Sequence, residues 1–193
     1  MIISVDIDNI LNTLTEAVLD VYNADSGDSL TLSDITEYRI ENFVKPEFRK
    51  NFYQYFLDKR IWKRIKVQPR CREVLAKLHR EGYRIIFVTT TEPENLPKKK
   101  NWLIRNFPFV DTRSSLFSCP TKQLLKCDVL IDDCLGNLIG DREYYSLCLD
   151  YPWNREEWAD KEPNFSRLKD WNEVYDKIKM VESLLKEDED DCV

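Results

Sequence analysis

Apolar residues in this chain follow two alternating rhythms, one of strands and one of helices. Ile2–Leu11 (IISVDIDNIL) opens as a short buried strand, and Arg84–Thr91 (RIIFVTTT) and Asp128–Asp133 (DVLIDD) repeat the pattern. Tyr144–Asp150 reads as the last strand, and a further short one is expected within Phe109–Phe117. Between these runs the apolar positions recur at helical spacing. Leu11, Leu14, Val18, Val21 and Tyr22 predict a first helix. Val74, Leu75 and Leu78 predict one that Gly82 can end, and Pro97 starts another through Trp102, Leu103 and Phe107. Lys122–Leu125 fits a short helical turn, and Arg167–Lys186 an amphipathic helix with Leu168, Trp171, Tyr175, Ile178 and Leu185 inward.

One stretch breaks the alternation. Gly27 and its polar neighbours predict a loop, after which Thr31–Asn42 reads as a helix capped by Ser33 or Asp34. Pro46 suits the first turn of another, whose Phe48, Phe52, Tyr55 and Phe56 share one face. Residues 14–66 are therefore expected to form a small helical unit inserted into an α/β core made of residues 1–13 and 67–193. Strands alternating with helices imply a parallel sheet joined by right-handed crossovers. The expected fold is α/β, a Rossmann-like three-layer sandwich carrying a helical cap after its first strand.

The polar residues of the core collect at strand ends: Asp6 and Asp8, Thr89 to Thr91, and Asp132 with Asp133. A parallel sheet brings all its carboxyl ends to one edge, where ligands bind in open α/β folds. Segments more than a hundred residues apart can thus share one crevice.

Composition narrows the class. With 193 residues and 42% apolar positions, the chain can bury a sizeable core. A formal charge of −6 argues against a nucleic-acid polymer as partner, while leaving room for a small phosphorylated ligand on a local cation. No apolar run reaches the roughly 18 residues of a membrane span, and Asp6 interrupts the apolar N-terminus where a signal peptide would continue. The six cysteines form no C-x-x-C pair, and a single histidine makes zinc improbable. They read as reduced thiols of a cytoplasmic protein. The acidic stretch Glu187–Asp191 is expected to be a solvated, disordered end.

Four carboxylates in one crevice need a cation. Mg²⁺ prefers a few carboxylates with water and phosphate oxygens, which matches Asp6 and Asp132 as ligands. Thr89 offers a hydroxyl to a phosphate oxygen, and Lys122 supplies an ammonium. Such a set suits phosphoryl transfer. Asp6 attacks phosphorus to give an aspartyl-phosphate, while Asp8 protonates the leaving alkoxide and then deprotonates the hydrolytic water. The metal and Lys122 stabilise the charge on the transferring group.

The segments D-I-D-N-I-L, F-V-T-T, Lys122 and L-I-D-D, taken in order, resemble the four motifs of the haloacid dehalogenase superfamily of phosphohydrolases. In finer detail TKQLLKCDVLIDD and the P-W-N of DYPWN (Asp150–Asn154) are similar to the cytosolic 5′(3′)-deoxyribonucleotidase family. The resemblance implies Asp6 as nucleophile and Asp8 as acid/base. It implies metal ligands in the Asp6 carboxylate, the Asp8 carbonyl and the Asp132 carboxylate, with Asp133 supporting. Thr89 would bind phosphate, with Thr90 beside it. The implied reaction is Mg²⁺-dependent hydrolysis of nucleoside monophosphates, deoxyribonucleotides above all; a homodimer stays open. Asn9 stands where the superfamily often has glycine, and Asn tolerates the left-handed backbone such a turn needs. Ile10 departs from the usual Thr or Val, a matter of packing.

Plainer readings stand beside these. Thr89 and Thr90 also suit a strand for their β-propensity alone. Trp62 aligns with an aromatic position of the family's nucleobase pocket, yet it equally suits an anchor of the cap's own core. Lys98–Lys100 could attract phosphate but reads first as a solvated helix start, Arg113 and Arg142 have similarly weak claims, and His79 has none. The alternative functions are a phosphatase of sugar or other small phosphomonoesters, and a phosphate-ester-binding regulatory protein without turnover.

Overall fold

The structure, a computed structural model, describes residues 1–190. Strands β1 (Ile2–Asp6), β2 (Arg84–Thr89), β3 (Leu116–Ser118), β4 (Val129–Asp132), β5 (Tyr145–Leu149) and β6 (Phe165–Leu168) form one parallel sheet in the order β3-β2-β1-β4-β5-β6. The order reverses at β1, so the crevice beyond the carboxyl ends of β1 and β4 is the switch point of a doubly wound sheet. Register brings Asp6 beside Val88 of β2, and Val5 beside Ile131 of β4. The polar ends of three strands therefore finish level.

The two-residue period divides the strands between two faces. Ile3, Val5, Phe87, Ile131 and Leu147 share a core with Leu75 and Leu78 of α3 (Cys71–Arg80), with Trp102 and Leu103 of α4 (Leu96–Asn106), and with Trp171, Val174 and Ile178 of α7 (Trp171–Asp190). On the opposite face Leu130 and Cys148 meet Leu138 of α6 (Leu135–Leu138) and Phe165. Helices thus cover both faces, as the α/β expectation requires. No helix among the described residues is long and apolar enough to cross a membrane.

A third apolar cluster lies within residues 14–61. Leu14, Val18, Val21 and Tyr22 of α1 (Leu14–Ser26) pack there with Ile35, Ile40, Val44, Phe52 and Ile61. Phe48 of α2 (Pro46–Arg49), Phe52 and Tyr55 meet the Tyr22 ring edge-on at 5.5, 5.7 and 5.9 Å. The segments leading into and out of this unit are pinned together. Asn12 bridges Val67, the Thr13 N–H donates to the Lys66 carbonyl at 3.1 Å, and the Gln68 N–H donates to that of Leu11 at 2.9 Å.

Several predicted elements differ. Thr31–Asn42 is not one helix but two 3₁₀ turns, Leu32–Asp34 and Ile40–Asn42. Thr31, rather than Ser33 or Asp34, caps the first: the Asp34 carboxylate accepts from the Thr31 N–H at 2.7 Å, and Ile35 then leaves the helical region at ψ 89°. The buried Ile35 and Ile40 lie five positions apart, which no α-helix places on one face. The aromatic run forms a 3₁₀ helix, Phe52–Leu57. Tyr144–Asp150 is not the last strand, because Leu168 closes β6 and α7 starts only at Trp171. Asp170 divides the two, its carboxylate accepting from the Asn172 N–H at 2.7 Å as a helix cap does. Of the acidic stretch expected to be disordered, Glu187–Asp190 continues the α7 backbone; Asp191 lies outside the described residues, as does Cys192.

Candidate active site

Asp6 ends β1 and Asp132 ends β4, both buried, with Asp133 next to them. One carboxylate oxygen from each of the three lies within 4.8 Å of the others. Lys122 reaches them from the 3₁₀ turn Lys122–Leu124 before β4, and its side chain is only 2% exposed. Its Nζ donates to Asp6 Oδ1, and to Asp132 Oδ2 at 2.7 Å. Asp132 is further held by the N–H groups of Asp133 (2.8 Å) and Cys134 (2.9 Å), and by the Asn137 amide (3.0 Å).

Charge is not balanced here. Three carboxylates face one ammonium, so two negative charges are left over when all are ionised. Burial pushes the Asp6 carboxyl up to about 7, against the pull of Lys122 and with the push of Asp132 and Asp8. Burial, then the charges of Asp132 and Asp6, hold Asp133 well above the carboxylate range. Burial alone would lower the Lys122 ammonium, but Asp6 and Asp132 outweigh it and hold it above its ordinary value. Clustered oxygens short of positive charge fit a hard divalent cation.

Above the acids, the core and the helical unit enclose a cavity of about 760 Å³. Asp8, Asn9, Thr90, Lys99 and Trp153 line it from the core, and Tyr38, Phe56 and Trp62 from the helical side. Asp6, Thr89, Lys122 and Asp132 are not among the residues that line it; Lys99, which is, donates to Thr89. Of the two threonines, Thr89 is fully buried, whereas Thr90 is exposed and donates to the Cys119 carbonyl at 3.2 Å. Trp62 packs against both the helical cluster and the main core, and it also lines the cavity. Its Nε1 is buried without a partner among the described residues. Asn9 takes the left-handed backbone expected of it (φ 62°). Arg113, Arg142 and His79 are absent from the cavity lining.

Lys99 departs from the solvated helix start expected of Lys98–Lys100. Its side chain is 3% exposed, and its Nζ donates to Asp8 Oδ2 and, at 2.7 Å, to Thr89 Oγ1. The signal was present in the spacing. Asn95, Lys99, Trp102 and Leu103 fall on one helical face, and all four are buried.

Comparison with known proteins places this geometry. A family model described as "5' nucleotidase, deoxy (Pyrimidine), cytosolic type C protein" matches residues 1–185. A 5′(3′)-deoxyribonucleotidase of Clostridium acetobutylicum is 32% identical over 175 residues, 89% of this chain and 91% of that protein. One of Bacillus subtilis is 28% identical, over 92% of this chain and 98% of that protein. Among solved structures, a haloacid dehalogenase-like hydrolase of Streptococcus pneumoniae superposes with a TM-score of 0.65 at 15% identity, covering 92% of this chain and 97% of its own. A haloacid dehalogenase family hydrolase of Deinococcus radiodurans with bound phosphate and sodium gives 0.65 at 13% identity, covering 93% and 95%.

Proposed function

The chain belongs to the cytosolic type C 5′-nucleotidase family, a family of phosphatases, and on that premise we propose that it hydrolyses 5′(3′)-deoxyribonucleoside monophosphates through an aspartyl-phosphate. The observation that carries the reaction is the meeting of Asp6, Lys122 and Asp132, from three separate segments, beside a cavity that Asp8 lines. We take residues 14–66 as the cap over that cavity.

In the first step an Asp6 oxygen bonds to phosphorus and the bond to the leaving oxygen breaks. Asp8 gives that oxygen its proton. In the second step Asp8 takes a proton from water, the water oxygen attacks phosphorus, and the bond to Asp6 breaks to release phosphate. Lys99 holds the Asp8 carboxylate and the Thr89 hydroxyl together throughout, fixing the acid/base relative to the phosphate site. Lys122 offsets charge beside the transferring group. The Asp6 and Asp132 carboxylates and the Asp8 carbonyl, supported by Asp133, would hold Mg²⁺, which supplies Lewis-acid stabilisation of the phosphoryl oxygens. Thr90 lies on the cavity wall, within the phosphate end of the proposed site. Trp62 lines the cavity from the helical side, where its ring would pack on the base.

Rates on a panel of nucleoside monophosphates and sugar phosphates at fixed Mg²⁺ test the proposal, with Asp6→Asn as control. Preference for deoxyribonucleotides and loss of turnover in the Asn variant are expected. Comparable rates on every phosphomonoester would make the protein a broad phosphatase, and full activity of Asp6→Asn would refute the covalent mechanism.

A further inference from the structure

The turn between β5 and β6 has no role in the chemistry above, yet it reaches the acidic centre. Pro152–Asn154 forms a single 3₁₀ turn after Tyr151. The Trp153 Nε1–H donates to Asp133 Oδ2 at 3.2 Å, and the Asn9 amide donates to the same oxygen at 3.1 Å. The other Asp133 oxygen has no protein donor among the described residues. Asn154 supports the same residue from behind, its amide donating to the Asp133 carbonyl and to that of Leu149, both at 2.8 Å. Arg167 of β6 in turn donates to Asn154 Oδ1 at 2.7 Å.

The indole is not free to move away. The Tyr151 ring stacks on it at 4.5 Å with 9° between planes, and the Tyr151 hydroxyl donates to the Asn9 carbonyl. Trp153 also packs against both the main core and the helical cluster while lining the cavity. One ring therefore borders the substrate space and fixes a carboxylate of the acidic cluster.

We propose that Trp153 is a positioning residue for the divalent cation: its indole N–H, together with the Asn9 amide, sets the orientation of the Asp133 carboxylate at the metal site. This rests on the metal-dependent reading above. Removing groups from the hydrogen-bonded shell that supports a metal's ligands, to which Asp133 belongs, changes metal affinity about 10- to 100-fold.

Calorimetric titration of the full-length, metal-free protein with Mn²⁺ tests the proposal on wild type, Trp153→Phe and, as a surface control, Trp158→Phe. A dissociation constant raised about tenfold or more in Trp153→Phe, with Trp158→Phe unchanged, is the expected result. A folded Trp153→Phe that binds Mn²⁺ like wild type overturns it. Should that variant not fold, ¹⁵N-indole spectra of the wild-type protein decide instead. Saturating Mg²⁺ should shift the Trp153 resonance more than that of Trp158, and an unmoved Trp153 resonance overturns the role. A wild-type protein that binds no divalent cation refutes the metal-dependent reading itself, an outcome distinct from tight binding retained in Trp153→Phe.

Discussion

Replacing Lys122 by Met tests how the acidic centre is held. Lys122 is 2% exposed and paired with carboxylates that are 9% (Asp6) and 1% (Asp132) exposed. Met keeps the stem of the side chain and removes the ammonium, leaving three buried carboxylates without it. Breaking a buried pair by deleting one partner costs about 3–5 kcal/mol. For a chain of this size that lowers the melting temperature by roughly 6–20 °C. Calorimetric or circular-dichroism melts in EDTA would measure it. The loss has a pH signature. A carboxyl group whose pKa is raised on folding, as that of Asp6 is from 3.8 to about 7, stabilises the fold fully below the unfolded value and ceases to as pH rises through the folded one. Without Lys122 the pull that lowers Asp6 disappears, so the penalty should be small near pH 4 and largest above about pH 7. Added Mg²⁺ at about 100 times its dissociation constant should return about 2.7 kcal/mol to any form that still binds it. A metal-free Lys122→Met protein that melts with wild type at pH 8 would refute the electrostatic account.

Other outcomes follow from the same contacts. Lys99→Met should lower kcat about 100-fold through misplacement of Asp8, with little change in KM for the nucleotide, as steady-state kinetics would show. Its stability cost should be smaller than that of Lys122→Met, because Asp8 is 21% exposed and water can replace the lost partner. In Asp6→Asn, acid-quenched protein incubated with ³²P-labelled substrate should carry no covalent label, whereas wild type should; a labelled Asn variant would point to another nucleophile. Arg60→Ala removes an exposed guanidinium bridging Asp25 and Asp58 and should leave the urea midpoint nearly unchanged, despite short contacts of 2.6 and 2.7 Å, because water and salt screen such a pair.

What could be read from the sequence depended on how local each signal was. β1, β2 and β4 announce themselves as apolar runs ending in polar residues, and a parallel sheet leaves only one edge for those ends. The sequence pattern alone therefore brings Asp6, Thr89 and Asp132 to one edge. β6 escaped because Leu168 sits three residues before Trp171, so the helical rhythm of α7 continues backwards into a four-residue strand. Lys99 hid in a run of three lysines, where charge gave no reason to prefer the middle one; its helical face did. The bond from Trp153 to Asp133 could not be read at all. It depends on how the chain turns between β5 and β6, and no periodicity encodes that turn.

The pinned stem formed by Leu11–Thr13 and Lys66–Gln68 has a consequence for how such a protein can change. The two ends of the helical unit are tied to each other directly beside the sheet edge. The stem behaves as a socket: the module above it can lengthen, shrink or be exchanged at little cost in chain-closure entropy, since that cost grows only slowly with loop length. With residues 14–66 as the cap proposed above, selectivity for the organic part of a substrate can drift with the module while the carboxylates of the sheet stay in place.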